Sequence, residues 1–586
     1  MRSMARWCVS HRRAVVVAWL VALIALAAIS KGVGSGYKNS FTLNGTQSFE
    51  ALHLLQRAAP KASGDHEQVV FAVSRGTLRS PSVEARAKAM LRNVAALPEV
   101  ASVLSPYSPA GAEQVSRSGQ VAFANVTMTK LADKYTVAQA KRFVDTAKAS
   151  TGNGLQVAVG GQVAEQSVPN SVSSAGFGVI AALIVLFLVF GSLLAAVLPL
   201  ITAGVALGVG TAVIGLLSHV LTMASFSSDL SLLIGLGVGV DYALFVVTRL
   251  RQGLERGLPT SDAIVDALDT SGRAVLFAGV TVCIALLGMF ALGVSFLYGV
   301  GLAAAVVVAF TVLSALTLLP ALLGFMGPHV LSRHARHRLA QQRVLTADGG
   351  RLWTRWAAVL RARPAVAATV GVVLMAVIAI PFFSMRLGSS DAGSDPPGST
   401  TRQAYDLLAK GFGPGYNGPL QLVAAIHNPR QKAAFIKVSG AVANTPGVVG
   451  TSPPLLLPGK HGAPAVISIN AYPAGSPQAA STSRLLTTLR GTVVPRAQAG
   501  SGVHVLIGGQ TATFTDFANV LSSKLALFIG VIVGLSFLLL IAVFRSLVVP
   551  AMAALMNMLS VGAAFGVITA VFQWGWASSL LGVNQS

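Results

Sequence analysis

Long apolar stretches alternate with segments of mixed polarity along the whole chain. Nine stretches hold about 20 mostly apolar residues each, the length that crosses ~30 Å of hydrocarbon as a helix. They lie at roughly 14–30, 174–192, 195–217, 230–248, 273–292, 296–323, 365–382, 523–544 and 548–571. The pattern predicts a polytopic α-helical membrane protein.

The first apolar stretch follows several arginines and ends near Ser30, as a cleaved signal peptide would. However, the segment Trp356–Val366, with Arg361 and Arg363 before an apolar run, resembles Trp7–Val15. An internal helix cannot be a signal peptide. We therefore predict that the first stretch is a retained membrane helix.

Two long segments between the apolar stretches have the patterns of α+β domains. Each shows strand, helix, strand, strand, helix, strand, which is the split βαβ arrangement of a ferredoxin-like domain. In 31–173 the predicted strands are Gln68–Val73, Glu99–Leu104, Gln120–Thr127 and Gly154–Val159, with helices near 82–97 and 137–149. In 383–522 they are Leu420–Ile426, Val448–Thr451, Ala465–Ala471 and Val503–Ile507, with helices near 429–443 and 478–490. Two unrelated soluble domains are the alternative interpretation.

Short sequence echoes extend this repetition to the whole chain. The segment Gly154–Gln162 is echoed by Gly502–Gln510 at an offset of 348, and Phe190-Gly-Ser-Leu193 by Phe544-Arg-Ser-Leu547 at an offset of 354. Internal repeats of this kind are common in secondary transporters. The predicted order is N-terminus and first helix (1–30), first α+β domain (31–173), five helices (174–324), basic loop (325–364), seventh helix (365–382), second α+β domain (383–522), two helices (523–571) and an end segment (572–586).

Composition and charge agree with a membrane protein. The chain is 53% hydrophobic and 11% charged, and its net charge is +23. Its lysines and arginines gather beside apolar stretches rather than on one soluble domain, which favours the positive-inside pattern over nucleic-acid binding. The N-terminus and the basic loops Arg249–Arg273 and Arg333–Arg363 are therefore predicted to be cytoplasmic. Both α+β domains are then extracytoplasmic, and the protein belongs in the cell membrane.

Asp241 differs from the other acidic residues because it falls inside an apolar span, Ser231–Thr248. A charge near the bilayer centre costs at least ~2.5–3.5 kcal/mol, so such a carboxyl is a functional candidate. We predict that it takes up and releases a proton, and the adjacent Tyr242 offers a hydroxyl that can donate or accept a hydrogen bond beside the carboxyl. The alternative is a protonated carboxyl that merely bonds a neighbouring helix.

Small and aromatic residues surround this pair in the sequence. Gly235, Gly237 and Gly239 precede it and predict the close approach of a partner helix to both the Asp241 and Tyr242 faces. A phosphate-binding glycine loop is excluded, because no strand precedes these glycines and no Lys-Ser/Thr follows them. Phe245 lies four residues after the aspartate on the same helix face, where we predict a packing role.

Other chemistry has little support in the sequence. His329, His334 and His337 lie in a basic loop without carboxylate or cysteine partners, so we predict neither a metal site nor another cofactor. No serine elbow or P-loop is present, which argues against a hydrolase or an ATP-driven pump.

The segment Gly235-Leu-Gly-Val-Gly-Val-Asp-Tyr-Ala-Leu-Phe245, with Ser271–Gly279 and the twin Phe-x-Ser-Leu segments, resembles the MMPL (mycobacterial membrane protein large) family of the resistance-nodulation-division (RND) superfamily. The resemblance implies an exporter of lipids or other hydrophobic compounds, drugs included, that is driven by the proton-motive force. It also implies that Asp241 and Tyr242 are the first of two Asp-Tyr pairs that relay protons.

The family pattern has twelve helices, and the offset of 354 would place its second Asp-Tyr pair near position 595, beyond Ser586. The resemblance therefore leads us to expect that the last three helices are not in this chain. Expected partners are membrane lipids, a lipid or hydrophobic substrate, and the C-terminal remainder or accessory proteins. The alternatives are a lipid-binding receptor or scaffold of the same fold and an inactive transporter fragment.

Overall fold

The structure is a computed structural model in which the chain forms two compact units. It describes residues 1–34, 36–37, 43, 45–58, 65–167, 174–224, 226–331, 351–386, 388, 391–396, 398–457 and 464–576. The membrane unit comprises Met1–Phe41, Ser171–Met385 and Lys524–Trp574, and the sheet unit comprises Thr42–Asn170, Arg386–Ser523 and Gly575–Ser586. His334 and His337 of the predicted basic loop, and residues 577–586 of the predicted end segment, lie outside the described residues.

Eight helices in the described part of the chain are long and apolar enough to cross a membrane. They are Arg12–Val33, Leu193–Leu217, Phe226–Glu255, Thr260–Leu292, Leu297–Val330, Pro364–Ser384, Gln510–Ala542 and Val548–Phe572. Large apolar side chains on their outer surfaces remain exposed; Leu538, for example, is 64% exposed. Such surfaces are suited to lipid, and the polytopic helical fold is confirmed.

The remaining predicted span, 174–192, forms the helix Ser174–Phe190, which has only 17 residues. Gly191, with φ at 59°, ends this helix, and the Ser192 side chain accepts a hydrogen bond from the Ala195 N–H as the cap of the next one. The expected nine long spans are therefore eight long helices and one short helix at the lower limit for crossing a bilayer.

The turn after Phe190 recurs in the second repeat. Arg545 has φ at 49° and occupies the position in Phe544-Arg-Ser-Leu547 that Gly191 has in the first segment. A left-handed backbone is costly for a residue other than glycine. Because Arg545 adopts this conformation at the position equivalent to Gly191, the repeat extends to backbone geometry.

The first sheet of the sheet unit has four antiparallel strands: β1 (His66–Val73), β2 (Val100–Leu104), β3 (Val121–Met128) and β4 (Leu155–Gly160). Their order is β2-β3-β1-β4, and the helices Pro81–Ala95 and Val137–Lys148 follow β1 and β3 in the chain. Phe71, Met90 and Phe143 lie in the core between these helices and the sheet. This order confirms the predicted ferredoxin-like arrangement.

The second sheet repeats the first with one extra strand. Its strands are β5 (Leu420–Ile426), β6 (Val448–Thr451), β7 (Leu455–Leu457), β8 (Ala465–Pro473) and β9 (Leu506–Gly508), in the order β6-β8-β5-β9 with β7 paired to β8. Its helices are Pro429–Ala443 and Ala480–Thr488, the latter continuing through a π turn at Leu489–Val493 to Gln498.

Two details of the second sheet differ from the prediction. Strand β7 was not predicted. Strand β9 begins at Leu506 rather than Val503, because the Val505 N–H donates to the Gln498 side chain at 2.9 Å rather than to a neighbouring strand.

The two sheets exchange helices, which the sequence analysis did not predict. The helix Gln47–Ala58 precedes the first sheet in the chain but packs on the second, where Ala51 contacts a cluster that includes Val423. The helix Thr400–Phe412 precedes the second sheet but packs on the first, where Leu408 joins Phe123 and the other residues of its outer face. We call these two segments the exchanged helices.

Candidate functional site in the membrane unit

Asp241 lies in the helix Phe226–Glu255, which packs against the helices Leu193–Leu217 and Ser295–Leu316. We call it the Asp241 helix. It runs for 30 residues without proline, and Asp241 is near its middle. A continuous helix keeps every backbone amide of this span paired, as the interior of a membrane requires.

Two of the three predicted glycines hold the Asp241 helix close to its neighbours. A Cβ atom on Gly239 would lie 2.9 Å from the Cβ of Ala203 and 3.0 Å from the Cγ2 of Thr311. A Cβ atom on Gly235 would lie 2.3 Å from the Cγ1 of Val307. Since real Cβ atoms do not approach so closely, only glycine permits this spacing between the helix backbones.

The Asp241 helix presents the predicted site residues on two different faces. Tyr242 is 7% exposed and belongs to the apolar core of the membrane unit, on the face that packs against the neighbouring helices. Gly237, Asp241 and Phe245, spaced four residues apart, form one exposed stripe. Phe245 is 61% exposed, and nothing in the described residues lies within 4 Å of a Cβ built on Gly237.

This division changes what the sequence led us to expect. Close helix contact was expected on both the Asp241 and Tyr242 faces, but in the described residues it occurs only on the Tyr242 face. The reason is geometric, since adjacent residues of an α-helix point about 100° apart. A packing role for Gly237 or Phe245 therefore stays a prediction, as does the relay role of Asp241.

The polar groups of the site make few contacts. Within the described residues, neither the Asp241 carboxylate nor the Tyr242 hydroxyl forms a hydrogen bond, and Asp241 has no ion pair. In the same part of the chain no three histidine, cysteine or acidic side chains lie close enough together to hold a metal ion. Among the described residues, no salt bridge therefore holds the Asp241 carboxyl.

Buried hydroxyl groups on the neighbouring helices complete the packed face, and the sequence analysis did not identify them. The Ser314 Oγ donates to the Thr202 carbonyl at 3.0 Å, linking the two helices that flank the Asp241 helix. The Thr311 Oγ1, beside Gly239, donates to the carbonyl of Val307 at 2.8 Å within its own helix. The only available sequence signal was a serine or threonine inside an apolar span.

Charged side chains meet where the Asp241 helix ends and the next begins. The Asp269 carboxylate pairs with the Arg2 Nε at 2.9 Å and with the Arg273 Nη2 at 2.7 Å, while Arg249 lies 3.7 Å from Asp266. Three arginines that were predicted to be cytoplasmic are thus brought to two neighbouring carboxylates. Asp269 precedes the Ser271–Gly279 motif and lies within a π turn, Leu268–Gly272.

Comparison with known proteins places this helix arrangement in a family. The MMPL family profile matches residues 40–367 and 427–580, a range that includes the Asp241 helix and both flanking helices. The chain belongs to the MMPL family. Because the MMPL family is part of the RND superfamily, the chain also belongs to that superfamily, as the resemblance of its residue pattern led us to expect.

Three MMPL relatives give the scale of the similarity. Membrane protein YdfJ of Bacillus subtilis is 30% identical over 573 residues, which is 97% of this chain and 76% of YdfJ. The mycolic acid-containing lipids exporter MmpL11 of Mycolicibacterium smegmatis is 29% identical over 591 residues, 97% of this chain and 60% of that protein. The trehalose monomycolate exporter MmpL3 of Mycobacterium tuberculosis is 27% identical over 429 residues, 68% of this chain and 45% of MmpL3.

The chain therefore spans about three quarters of YdfJ and less than two thirds of the two mycobacterial MMPL exporters. Family membership establishes the fold of this MMPL protein and its place in the cell membrane.

Proposed function

We propose that this protein exports lipids or other hydrophobic small molecules across the cell membrane, driven by the proton-motive force, with Asp241 and Tyr242 as the proton relay. Lipid export is supported by relatives named as exporters of trehalose monomycolate and of mycolic acid-containing lipids. The proposal makes the protein a transporter rather than an enzyme.

The observation that supports coupling to protons is the position of Asp241, which lies on an apolar stripe and has no ion-pair partner in the described residues. A charged carboxylate there is unfavourable by several kcal/mol, whereas a neutral acid is tolerated. Protonation of Asp241 therefore makes apolar surroundings more favourable for this stripe, and loss of the proton makes them less favourable. A membrane potential supplies about 2.3 kcal/mol per charge per 100 mV, which is comparable to that difference.

The contacts at Gly235 and Gly239 connect this stripe to the rest of the membrane unit. The backbone of the Asp241 helix is held directly against the helices Leu193–Leu217 and Ser295–Leu316. A shift of the Asp241 helix on protonation therefore moves both neighbours, since the contacts leave no space for it to slide alone. In this proposal the Tyr242 hydroxyl, one residue further on, donates a hydrogen bond to the groups that exchange the proton or accepts one from them.

The proposed orientation follows the arginines. Arg2, Arg249 and Arg273 lie at the basic ends of their helices and carry the ion pairs with Asp266 and Asp269. Under the positive-inside rule these ends and the N-terminus face the cytoplasm, and the sheet unit is extracytoplasmic.

The test uses the purified protein in liposomes that contain a fluorescent phospholipid, with and without an imposed pH gradient. We expect Asp241→Asn to abolish both gradient-dependent lipid movement and the associated proton flux, because the amide keeps the size of the side chain but cannot exchange a proton. The control is Asp229→Asn, an exposed acid in the first turn of the same helix, which should transport normally.

Two outcomes would overturn the proposal. Transport by Asp241→Asn at the wild-type rate would exclude the relay role of the carboxyl. Binding of the fluorescent lipid by the wild-type protein without any proton flux would identify a lipid-binding receptor rather than a coupled exporter.

A further inference from the structure

The second half of the sheet unit contains a long stretch of sequence that has basic residues but no acidic ones. Between Asp406 and Asp516 the sequence contains no aspartate or glutamate. The same stretch contains eight basic residues: Lys410, Arg430, Lys432, Lys437, Lys460, Arg484, Arg490 and Arg496. The acids at both ends are already engaged, since Asp406 pairs with Arg402 and Asp516 with Arg490.

Two of these cations line a groove on the helices of the second sheet. The groove has a volume of about 390 Å³ and runs between the helix Pro429–Ala443 and the segment that follows Thr488. Its lining residues are Lys437, Ala441, Thr492, Val493, Arg496 and Ala497.

The helical spacing explains why these residues share one groove. Lys437 and Ala441 are four residues apart, as are Val493 and Ala497, and Arg496 is three residues after Val493. Val493 and Ala497 also contact the apolar core of this half, so they form a floor continuous with it. The groove therefore combines an apolar floor with two exposed cations.

Neither cation has a partner within the described residues. Lys437 and Arg496 make no ion pair there and no side-chain hydrogen bond, in contrast to Arg490, which contacts Asp516 and the Ile507 carbonyl. Unpaired like charges on one surface repel each other, so the fold gains nothing from them.

The first sheet provides a comparison within the same chain. Its helix Pro81–Ala95 lines a smaller groove of about 250 Å³ that contains Lys88 and Arg92. There Lys88 is paired with Glu84 at 2.6 Å. Because the same fold forms with this local neutralisation, the two unpaired cations of the larger groove are not a structural requirement.

We propose that the groove at Lys437 and Arg496 binds an anionic amphiphile, a molecule with one phosphate or carboxylate group next to a short apolar segment. The anionic group lies between the two cations, and the apolar segment lies on Val493, Ala441 and Ala497. A volume of about 390 Å³ suits a headgroup and part of a chain rather than an extended polymer. This site is separate from the Asp241 relay and goes beyond the proposed export function.

The test measures binding to the full chain held in nanodiscs of zwitterionic phosphatidylcholine. The probes are octyl phosphate and octanoate, with inorganic phosphate, octyl glucoside and a short polyglutamate peptide for comparison. The double variant Lys437→Ala/Arg496→Ala removes both exposed cations, and Lys88→Ala/Arg92→Ala is the matched control in the first half.

We expect octyl phosphate and octanoate to bind the wild-type protein and the control variant equally, and the groove variant about tenfold or more weakly. Raising the salt from about 50 mM to about 500 mM should weaken binding to the wild type, because it screens exposed charges. Asp241→Asn should bind like the wild type, which separates this inference from the export proposal.

Equal binding of octyl phosphate to all variants would overturn the inference. If octyl glucoside bound as tightly as octyl phosphate, the anionic group of the ligand would have no role in binding. If inorganic phosphate bound as tightly as octyl phosphate, the apolar floor of the groove would have no role. Tighter binding of the polyglutamate peptide would replace the amphiphile with an acidic protein as the partner.

Discussion

Asp241 and Tyr242 are adjacent in the chain, but they occupy different environments. The tyrosine ring is buried in the core of the membrane unit, whereas the carboxylate lies on an exposed apolar stripe with Gly237 and Phe245. The 100° between successive helical residues produces this separation. It places the Tyr242 ring in the packed core, while the relay roles of both residues stay predictions.

The glycines of the Asp241 helix allow a matched comparison. We expect Gly239→Ala to destabilise the membrane unit by about 1–3 kcal/mol, because its Cβ would lie 2.9 Å from the Cβ of Ala203. Gly237→Ala should change stability by about 0.5 kcal/mol or less, since nothing described lies within 4 Å of that position. Thermal unfolding of the purified variants measures both effects. Equal destabilisation would contradict the assignment of the two faces.

Glu67 is a buried acid in the sheet unit that the sequence analysis did not single out. It is 0% exposed, and its carboxylate accepts hydrogen bonds from the N–H groups of Val163 at 3.0 Å and Ala164 at 2.9 Å. Burial raises the pKa of Glu67 from 4.5 to about 8, against the lowering effect of those two hydrogen bonds. The neighbouring Asp65 and Glu165 raise it further.

The raised pKa of Glu67 predicts how stability depends on pH. Between pH 4.5 and about 8 the folded protein holds a proton that the unfolded chain has lost, so this contribution is complete below pH 4.5 and is lost as pH rises. The slope is at most about 1.4 kcal/mol per pH unit. Glu67→Gln should remove this slope, and the more exposed Glu84→Gln should not. Parallel profiles of wild-type and Glu67→Gln unfolding would contradict the assignment.

At the scale of elements, a buried ion pair of the second half holds one of the exchanged helices in place. Asp516 pairs with Arg490 and also accepts hydrogen bonds from Ser48, at 2.6 Å from its Oγ and 3.3 Å from its N–H. The side chains of Asp516 and Arg490 are 9% and 18% exposed. The carboxylate therefore joins the helix Gln47–Ala58 to the second sheet.

We expect Asp516→Asn to destabilise this half by about 3–5 kcal/mol, because it leaves a largely buried guanidinium without its charge partner. The control is Asp406→Asn, which breaks the pair of Arg402 with a carboxylate that is 57% exposed and should cost less than about 1 kcal/mol. Amide hydrogen exchange in Gln47–Ala58 reports the local effect. Unchanged exchange in Asp516→Asn would show that apolar packing alone holds the exchanged helix.

At the scale of the whole molecule, the two α+β halves belong to one unit although about 200 residues separate them in the chain. The described strands and helices lie close to their predicted positions, because strand alternation and helical periodicity are local properties. Partner choice is not local. The amphipathic helices 47–58 and 400–412 each require a surface to cover, but nothing in either segment specifies which sheet provides it.

Topology is tested by cysteine labelling at Ser118 and Ser476, introduced after replacing the native Cys8 and Cys283. Both serines belong to the sheet unit, which we propose to be extracytoplasmic, so both should react with an impermeant maleimide in intact cells. A cysteine at Gln252, beside the arginines that we propose to be cytoplasmic, should react only after permeabilisation. Labelling of Ser118 and Ser476 on opposite sides would contradict the two-unit arrangement.

The sequence by itself determined the membrane spans, the two βαββαβ segments, the position of Asp241 and the acid-free stretch between Asp406 and Asp516. Each of these depends on composition or period within a short window. Only the tertiary structure decided that Tyr242 is buried while Asp241 is exposed, that the two helices exchange sheets, and that Lys437 and Arg496 share a groove. These features arise from contacts between segments distant in the chain, and a local pattern cannot specify which partner surface a residue will contact.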